Sequence, residues 1–215
     1  MPRLHIAFEG IDGSGLTTHS KLLVEKLSKS GYRSFYSKEP TNGPIGKLIR
    51  EFLASRGEPD HVMMALLFAA DRRWNYYSSP NSIRGMLERG YIVVSDRYKY
   101  SSIAYQGAFA GINWVWNVNS RVPHSDAIIY IDIPVEIALR RVRERARNGA
   151  VIETYEDKVY LERIKEAYEE VLAKAVNEGI IVKRVVMVDS GRERSIEDVS
   201  REVFEFTLSL IVEKH

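Results

Sequence analysis

A parallel sheet with helices on both faces is the α/β fold class that this sequence predicts, and three observations predict it. Short apolar runs alternate with longer stretches of helical periodicity, the pattern of βα units. The first run leads into a glycine-rich turn and then an amphipathic segment, the strand–loop–helix order of a phosphate-binding loop. At 215 residues the chain can bury a substantial core and stays within the size of one domain, so a single domain over residues 1–215 is expected.

Each element has its own signal. Leu4–Phe8 is the first strand, and Thr17–Ser30, closed by Gly31, the first helix. A short strand at Ser34–Tyr36 precedes helices at Ile45–Ala54, His61–Ser78 and Asn81–Glu88, the last closed by Gly90. Further strands are expected at Tyr91–Val94, Ala127–Ile133 and Ile180–Val188. Helices at Val135–Arg147, at Tyr155–Asn177 with Gly179 behind it, and at Ile196–Val212 complete the series. Between two of these helices, "RVRERARNGAVIET" combines a charge run with loop character and reads as a flexible basic lid around residues 141–154.

Composition narrows the function. The net charge is +2 with acids and bases interspersed, so any phosphate recognition is local and nucleic acid is not an expected partner. Without cysteine there is no disulfide, thiolate catalysis or Cys-ligated zinc. No apolar run approaches the roughly 18 residues of a membrane span, and the expectation is a soluble, cytoplasmic protein.

The stretch "AFEGIDGSGLTTHS" carries the phosphate loop, residues Gly10, Ile11, Asp12, Gly13, Ser14, Gly15, Leu16, Thr17 and Thr18. Its glycines let backbone N–H groups converge on phosphate oxygens at a helix N-terminus, and Thr17 stands where a magnesium-ligating hydroxyl belongs. Leu16 takes the place of the usual lysine. Losing such a donor typically costs on the order of 10²–10³ in rate. The alternative is a tight turn and nothing more. A second constellation, "GYIVVSDRYKYSSIAYQG", puts Asp96 and Arg97 at the carboxyl end of a buried strand, where open α/β sheets bind ligands. Asp96 suits a magnesium shell beside Thr17, and Arg97 a phosphate clamp; a capping aspartate with a surface arginine is the alternative.

Taken with "FEGIDGSG", the segments "KEP" (38–40), "LLFAADR" (66–72), "SDRY" with "AYQG", "TYEDKVYLERI" (154–164) and "VDSGRERSIEDV" (188–199) resemble the thymidylate kinase family in order and spacing over nearly the whole chain. The resemblance implies a P-loop fold of the nucleoside monophosphate kinase type and phosphorylation of dTMP to dTDP by ATP with Mg²⁺, in dTTP synthesis. It also implies a homodimer. On that resemblance Phe68 stacks on thymine, Arg72 donates to its carbonyl, and Ser102 and Tyr105 complete the base pocket. Asp12 holds the 3′-hydroxyl, while Tyr155 packs where a ribose 2′-hydroxyl would sit. Arg97, Lys38 and Arg50 bind the acceptor phosphate; Arg147, Ser190 and Arg192 face the adenine. Periodicity alone would place Phe68 in the core, and the turn at Ser190–Arg192 is equally an ordinary connection.

The resemblance breaks at three positive charges. Besides the lysine, the arginine that relatives carry either in the phosphate loop or in the lid is missing, since the loop has Gly13 and no basic residue lies between Asn148 and Asp157. The segment before the lid carries Arg140, Arg141, Arg143, Arg145 and Arg147. Helical spacing sets Arg140, Arg143 and Arg147 near one face. A subset, with Arg143 and Arg147 as the catalytic candidates beside Arg97 and Asp12, is expected to close over the phosphates in place of the lysine; a solvated helix face is the alternative. Two other functions stay open at this point: a thymidylate-binding regulatory protein that has lost catalysis, and a kinase for another deoxynucleotide such as dUMP.

Overall fold

The computed structural model describes residues 3–55, 59–147 and 158–213. Leu4–Glu9 (β1) is buried at all six positions. Alternate side chains of a strand point to opposite faces, so both faces of the sheet must be covered. Ser34–Lys38 (β2), Ile92–Asp96 (β3), Ala127–Asp132 (β4) and Ile181–Val186 (β5) join it in the order β2-β3-β1-β4-β5. All neighbours are parallel. The helices are Leu16–Lys29 (α1), Pro44–Ala54 (α2), His61–Tyr77 (α3), Ile83–Glu88 (α4), Lys99–Tyr105 (α5), Gly107–Ala110 (α6), Ile112–Val118 (α7), Val135–Arg147 (α8), Lys158–Asn177 (α9) and Ile196–Glu213 (α10). Helix α1 packs on α10, and α5 on α9.

This order fixes where a ligand can bind. The chain leaving β1 runs through α1 to β2 at one edge, and the chain leaving β4 runs through α8 and α9 to β5 at the other. Strands β1 and β4 are neighbours, so their continuations diverge at the carboxyl ends and open a crevice there. The registers Phe8↔Asp96 and Lys38↔Asp96 bring the ends of β1, β3 and β2 to one level. That level is the floor of the cleft.

Every strand and helix expected from the sequence is present, with two corrections. The run Ile180–Val188 is not one strand: β5 stops at Val186, and Val188–Asp189 (β6) pairs antiparallel with Arg192–Glu193 (β7). Ser190 and Gly191 between them have φ 48° and 77°, the paired positive values of a two-residue hairpin turn. The second correction lies between Lys99 and Val118, where three short helices occupy a stretch for which the sequence predicts no element. All seven residues of α5 are buried, so it has no polar face to generate a helical period. Of the expected lid, Arg141–Arg147 forms the end of α8 and the remainder lies outside the described residues. No helix among the described residues is long and apolar enough to cross a membrane.

Candidate active site

The phosphate loop is shaped by what its glycines allow. Gly13 has φ 84°, and a Cβ there would lie 2.3 Å from the Ala138 carbonyl oxygen, so the loop rests directly on the backbone of α8. Gly15, at φ 96°, precedes α1, whose first turn has no side-chain cap. Helix N-termini leave their first N–H groups unpaired, and these belong to residues lining a cleft of about 680 Å³. Anions are favoured at such a terminus by the aligned backbone dipoles. Ser14 adds a buried hydroxyl with no partner among the described residues. Leu16 is buried within the apolar core.

One wall of the cleft is a connected polar knot. Arg97 donates through Nη1 to the Gly10 carbonyl (2.8 Å) and Ser101 Oγ (3.0 Å), and through Nη2 to Asp12 Oδ1 (2.6 Å). Tyr105 Oη donates to Asp12 Oδ2 at 2.9 Å and accepts from the Asp12 backbone N–H at 2.9 Å. These bonds hold Arg97 at φ 69°, a left-handed conformation that costs a side-chain-bearing residue about 1–2 kcal/mol. Beneath it lies Glu9, fully buried, which accepts from the Tyr98 N–H (3.0 Å), from Ser101 Oγ and from Tyr168 Oη (3.3 Å). Burial pushes its carboxyl up to about 8.

Next to Arg97, at the end of β3, Asp96 Oδ2 accepts from Thr17 Oγ1 at 2.6 Å and from Tyr36 Oη at 2.7 Å. Burial first, and then the Asp96 charge, push the Tyr36 hydroxyl well up, so it remains a donor. Lys38 Nζ completes the group, 3.0 Å from Thr17 Oγ1 and 3.1 Å from Asp96 Oδ2. An ammonium already resting on this hydroxyl–carboxylate pair shows that the pair favours a cation. It fits Mg²⁺, which takes one or two protein oxygens and completes its shell with water and phosphate. No cluster of three or more His, Cys, Asp or Glu side chains able to hold a metal occurs among the described residues.

The other residues singled out by sequence divide into those at the cleft and those away from it. Half-buried Phe68 lines it together with Arg72, Ser102 and Tyr105. Ser102 Oγ is buried without a partner among the described residues. Arg72 is only 1% exposed and bonds to Glu39 (Nη2–Oε2 2.7 Å), Asn119 and the Tyr98 carbonyl. Burial pushes the Glu39 carboxyl up and the Arg72 charge pulls it back. Arg72 thus clamps the chain leaving β2 as well as facing the cleft. Arg50 turns to the carbonyls of Pro40 (3.0 Å) and Thr41 (2.7 Å) and is not among the lining residues. Arg143, Arg147, Ser190 and Arg192 are exposed and also lie off the lining. From the same segments, Arg141, Arg145, Met187 and Arg194 line it instead. Tyr155 lies outside the described residues.

Sequence reasoning did not single out Glu9, His19 or Glu193, and it named Arg141 only as one of five arginines of which a subset would close over the phosphates. Arg141 Nη2 is 2.6 Å from Glu193 Oε2, Arg140 bonds the other carboxylate oxygen, and Arg141 Nη1 reaches the Gly13 carbonyl at 3.4 Å. His19 is buried beside them; burial and then the Arg141 charge lower its ring to about 4, leaving it neutral. An acid at the end of a strand that is apolar but for His5 was the available signal for Glu9. Nothing local marked Glu193, whose partners are more than fifty residues away.

Comparisons with known proteins agree with this geometry. The family model described as thymidylate kinase matches residues 8–203. Curated relatives that carry thymidylate kinase in their names include one from Aeropyrum pernix, 48% identical over 204 residues and covering 93% of each chain. Another, from Pyrobaculum aerophilum, is 42% identical over 202 residues, 93% of this chain and 94% of its own. A third, from Thermococcus gammatolerans, is 36% identical over 211 residues, 93% of each.

Proposed function

This chain belongs to the thymidylate kinase family, and from that premise we propose that it transfers the γ-phosphoryl group of ATP to dTMP, giving ADP and dTDP. The observation that carries the reading is one cleft lined by both an uncapped phosphate loop and the Asp12–Arg97–Tyr105 knot bonded to that loop.

In this reading the loop amides and the α1 terminus bind the ATP phosphates. Arg97 places the acceptor phosphate in line, and Asp12 and Tyr105 seat the deoxyribose beside it. Phe68 stacks on thymine, an interaction worth about 1–3 kcal/mol for an aromatic against a base; Arg72 and Ser102 face the base edges. Lys38 serves the phosphates from the β2 end. An acceptor phosphate oxygen attacks the γ-phosphorus while the bond to the bridging β-oxygen breaks. The acceptor phosphate is largely ionised near neutral pH, so no general base is required. Phosphoryl transfer asks the protein for position and charge neutralisation. Thr17 and Asp96 would hold Mg²⁺, which supplies charge neutralisation on the donor phosphates when bound. Arg141 and Arg145 are the α8 arginines that line the cleft and would meet those phosphates.

Two further parts of the reading concern the whole molecule. The exposed apolar side chains of α3, Val62, Leu66, Trp74 and Tyr77, support a homodimer through that helix, to be checked by sedimentation at micromolar concentration. The absence of cysteine is compatible with a reducing, cytoplasmic setting. The test of the activity is dTDP formation from ATP, dTMP and magnesium, followed by mass spectrometry with dUMP and nucleotide-free controls. dTDP well above the controls is expected. Binding of dTMP without product would make the chain a thymidylate-binding protein, and faster reaction with dUMP would change the acceptor.

A further inference from the structure

The residue that should neutralise the donor phosphates is absent at position 16, the first residue of α1, and one cation reaches the neighbouring Thr17 from the end of β2. Lys38 is the last residue of β2, and the parallel register sets it opposite Asp96. Its ammonium rests on Thr17 Oγ1 and Asp96 Oδ2, beside the residue that follows Leu16. A lysine ammonium has three donors, and these two contacts leave one for a ligand. The side chain is 49% exposed and lines the cleft. Arg97, by contrast, holds Gly10, Ser101, Asp12 and Tyr105 through Nη1 and Nη2, and in the kinase reading it serves the acceptor phosphate. Arg72 spends its donors on Glu39, Asn119 and Tyr98, and Arg140 and Arg141 share Glu193.

We propose that Lys38 is the surrogate for the missing phosphate-loop lysine: its ammonium guards the Thr17–Asp96 pair and moves onto the β- and γ-phosphate oxygens of ATP. The inference deepens the kinase reading and rests on it. A divalent ion on the Thr17–Asp96 pair would repel an ammonium at contact distance, because like charges repel more strongly as their distance falls. The third donor can meet phosphate oxygens without a metal, and a divalent ion held by Thr17 and Asp96 would push the ammonium further toward them. Lysine suits this exchange, being a compact point charge on a flexible four-carbon stem. Lys38 stays protonated throughout and makes no covalent bond; the bond made and the bond broken are those of the phosphoryl transfer alone.

The test compares Lys38→Met and Lys38→Arg with the parent chain. Affinities for ATP and for dTMP are measured calorimetrically in excess EDTA, and kcat and KM with magnesium. Lys38→Met is expected to weaken metal-free ATP binding at least tenfold, to change dTMP affinity less than twofold, and to lower kcat by about 10²–10³. Lys38→Arg keeps the charge and is expected to hold ATP affinity within about threefold. Adding Leu16→Lys to Lys38→Met, in a double variant that still melts cooperatively, is expected to restore at least tenfold of the lost ATP affinity. The proposal is overturned if Lys38→Met weakens dTMP instead of ATP, if it changes neither, or if the arginine variant behaves as the methionine one. A parent chain that forms no dTDP would defeat the kinase reading, and the metal-free ATP titration would still decide whether Lys38 holds the donor phosphates.

Discussion

The two walls of the cleft are built on opposite plans. On the acceptor wall, Arg97 and Asp12 are 19% and 22% exposed, and their polar atoms engage one another, Tyr105, Ser101 and the loop backbone. On the donor wall, Lys38 and Arg141 are 49% and 27% exposed, and each is held by a carboxylate that a ligand could replace. The first wall is organised before substrate arrives, at the expense of a buried acid and a left-handed arginine. The second is a set of cations on flexible stems, parked until phosphate and metal compete for them. In the proposed reading, a chain without the phosphate-loop lysine would thus have its fixed geometry where the nucleophile binds and its adjustable charge where the leaving group binds. The contrast follows from position: Arg97 leaves the interior strand β3 and sits against the P-loop, whereas Lys38 ends the edge strand β2 and Arg141 lies on α8.

The strongest way to break this contrast is Arg97→Ala. If the acceptor wall is preorganised for the transition state, kcat falls by about 10²–10³, the usual cost of a fixed donor in that role. The melting temperature is a separate readout of structural damage. A kcat loss below tenfold would mean that the fixed wall is scaffolding and that the mobile cations make the transition state.

The second prediction concerns what the fixed wall costs. Burial raises the Glu9 carboxyl from its ordinary 4.5 to about 8. Between those values the folded protein keeps a proton that the unfolded chain releases, so stability falls as pH rises through the window and the full penalty stands above pH 8. Glutamine cannot ionise and can still accept from the Tyr98 N–H. Glu9→Gln should therefore match the parent near pH 5 and exceed it by roughly 2 kcal/mol or more near pH 8.5, by chemical denaturation, since each tenfold change in proton affinity between the folded and unfolded chain is worth about 1.4 kcal/mol. Parallel stability curves over that range would show that Glu9 is ionised in the fold and that Arg97 neutralises it.

How much of this was legible in the sequence depended on the range of the signal. The sheet, the phosphate loop, and Asp96 with Arg97 at a strand end all follow from local patterns of period 2, period 3.6 and glycine spacing. So did the defect at Leu16. The three helices between Lys99 and Val118 were hidden because burial on all sides of α5 erases its amphipathic period. The split of the last apolar run was hidden because apolarity continues to Val188 although hydrogen bonding to β4 ends, and the turn rests on positive φ at Ser190 and Gly191. Among the α8 arginines, spacing grouped Arg140, Arg143 and Arg147, yet Arg141 and Arg145 line the cleft. Spacing orders residues around a helix without saying which face turns inward. The Arg72–Glu39 pair and the Glu193 bridge join residues 33 and more than 50 positions apart, separations on which periodicity is silent.

The smallest expected effect tests whether the mobile wall is held back by its own carboxylate. Hydrogen bonds from Arg141 and then Arg140 hold the Glu193 carboxyl below its usual range, so it carries full negative charge at neutral pH. That charge stands beside the mouth of the phosphate loop, where it competes with nucleotide phosphates for Arg141. Glu193→Gln keeps the size of the side chain and removes the charge. Pairs this exposed contribute about 0–1 kcal/mol, so the melting temperature should barely move. The KM for ATP should fall two- to fivefold with little change in the KM for dTMP, because only the donor wall gains a free guanidinium. An increase in the KM for ATP would reverse the assignment: Glu193 would then be the strut that sets Arg141 in position, and the donor wall would be as preorganised as the acceptor wall.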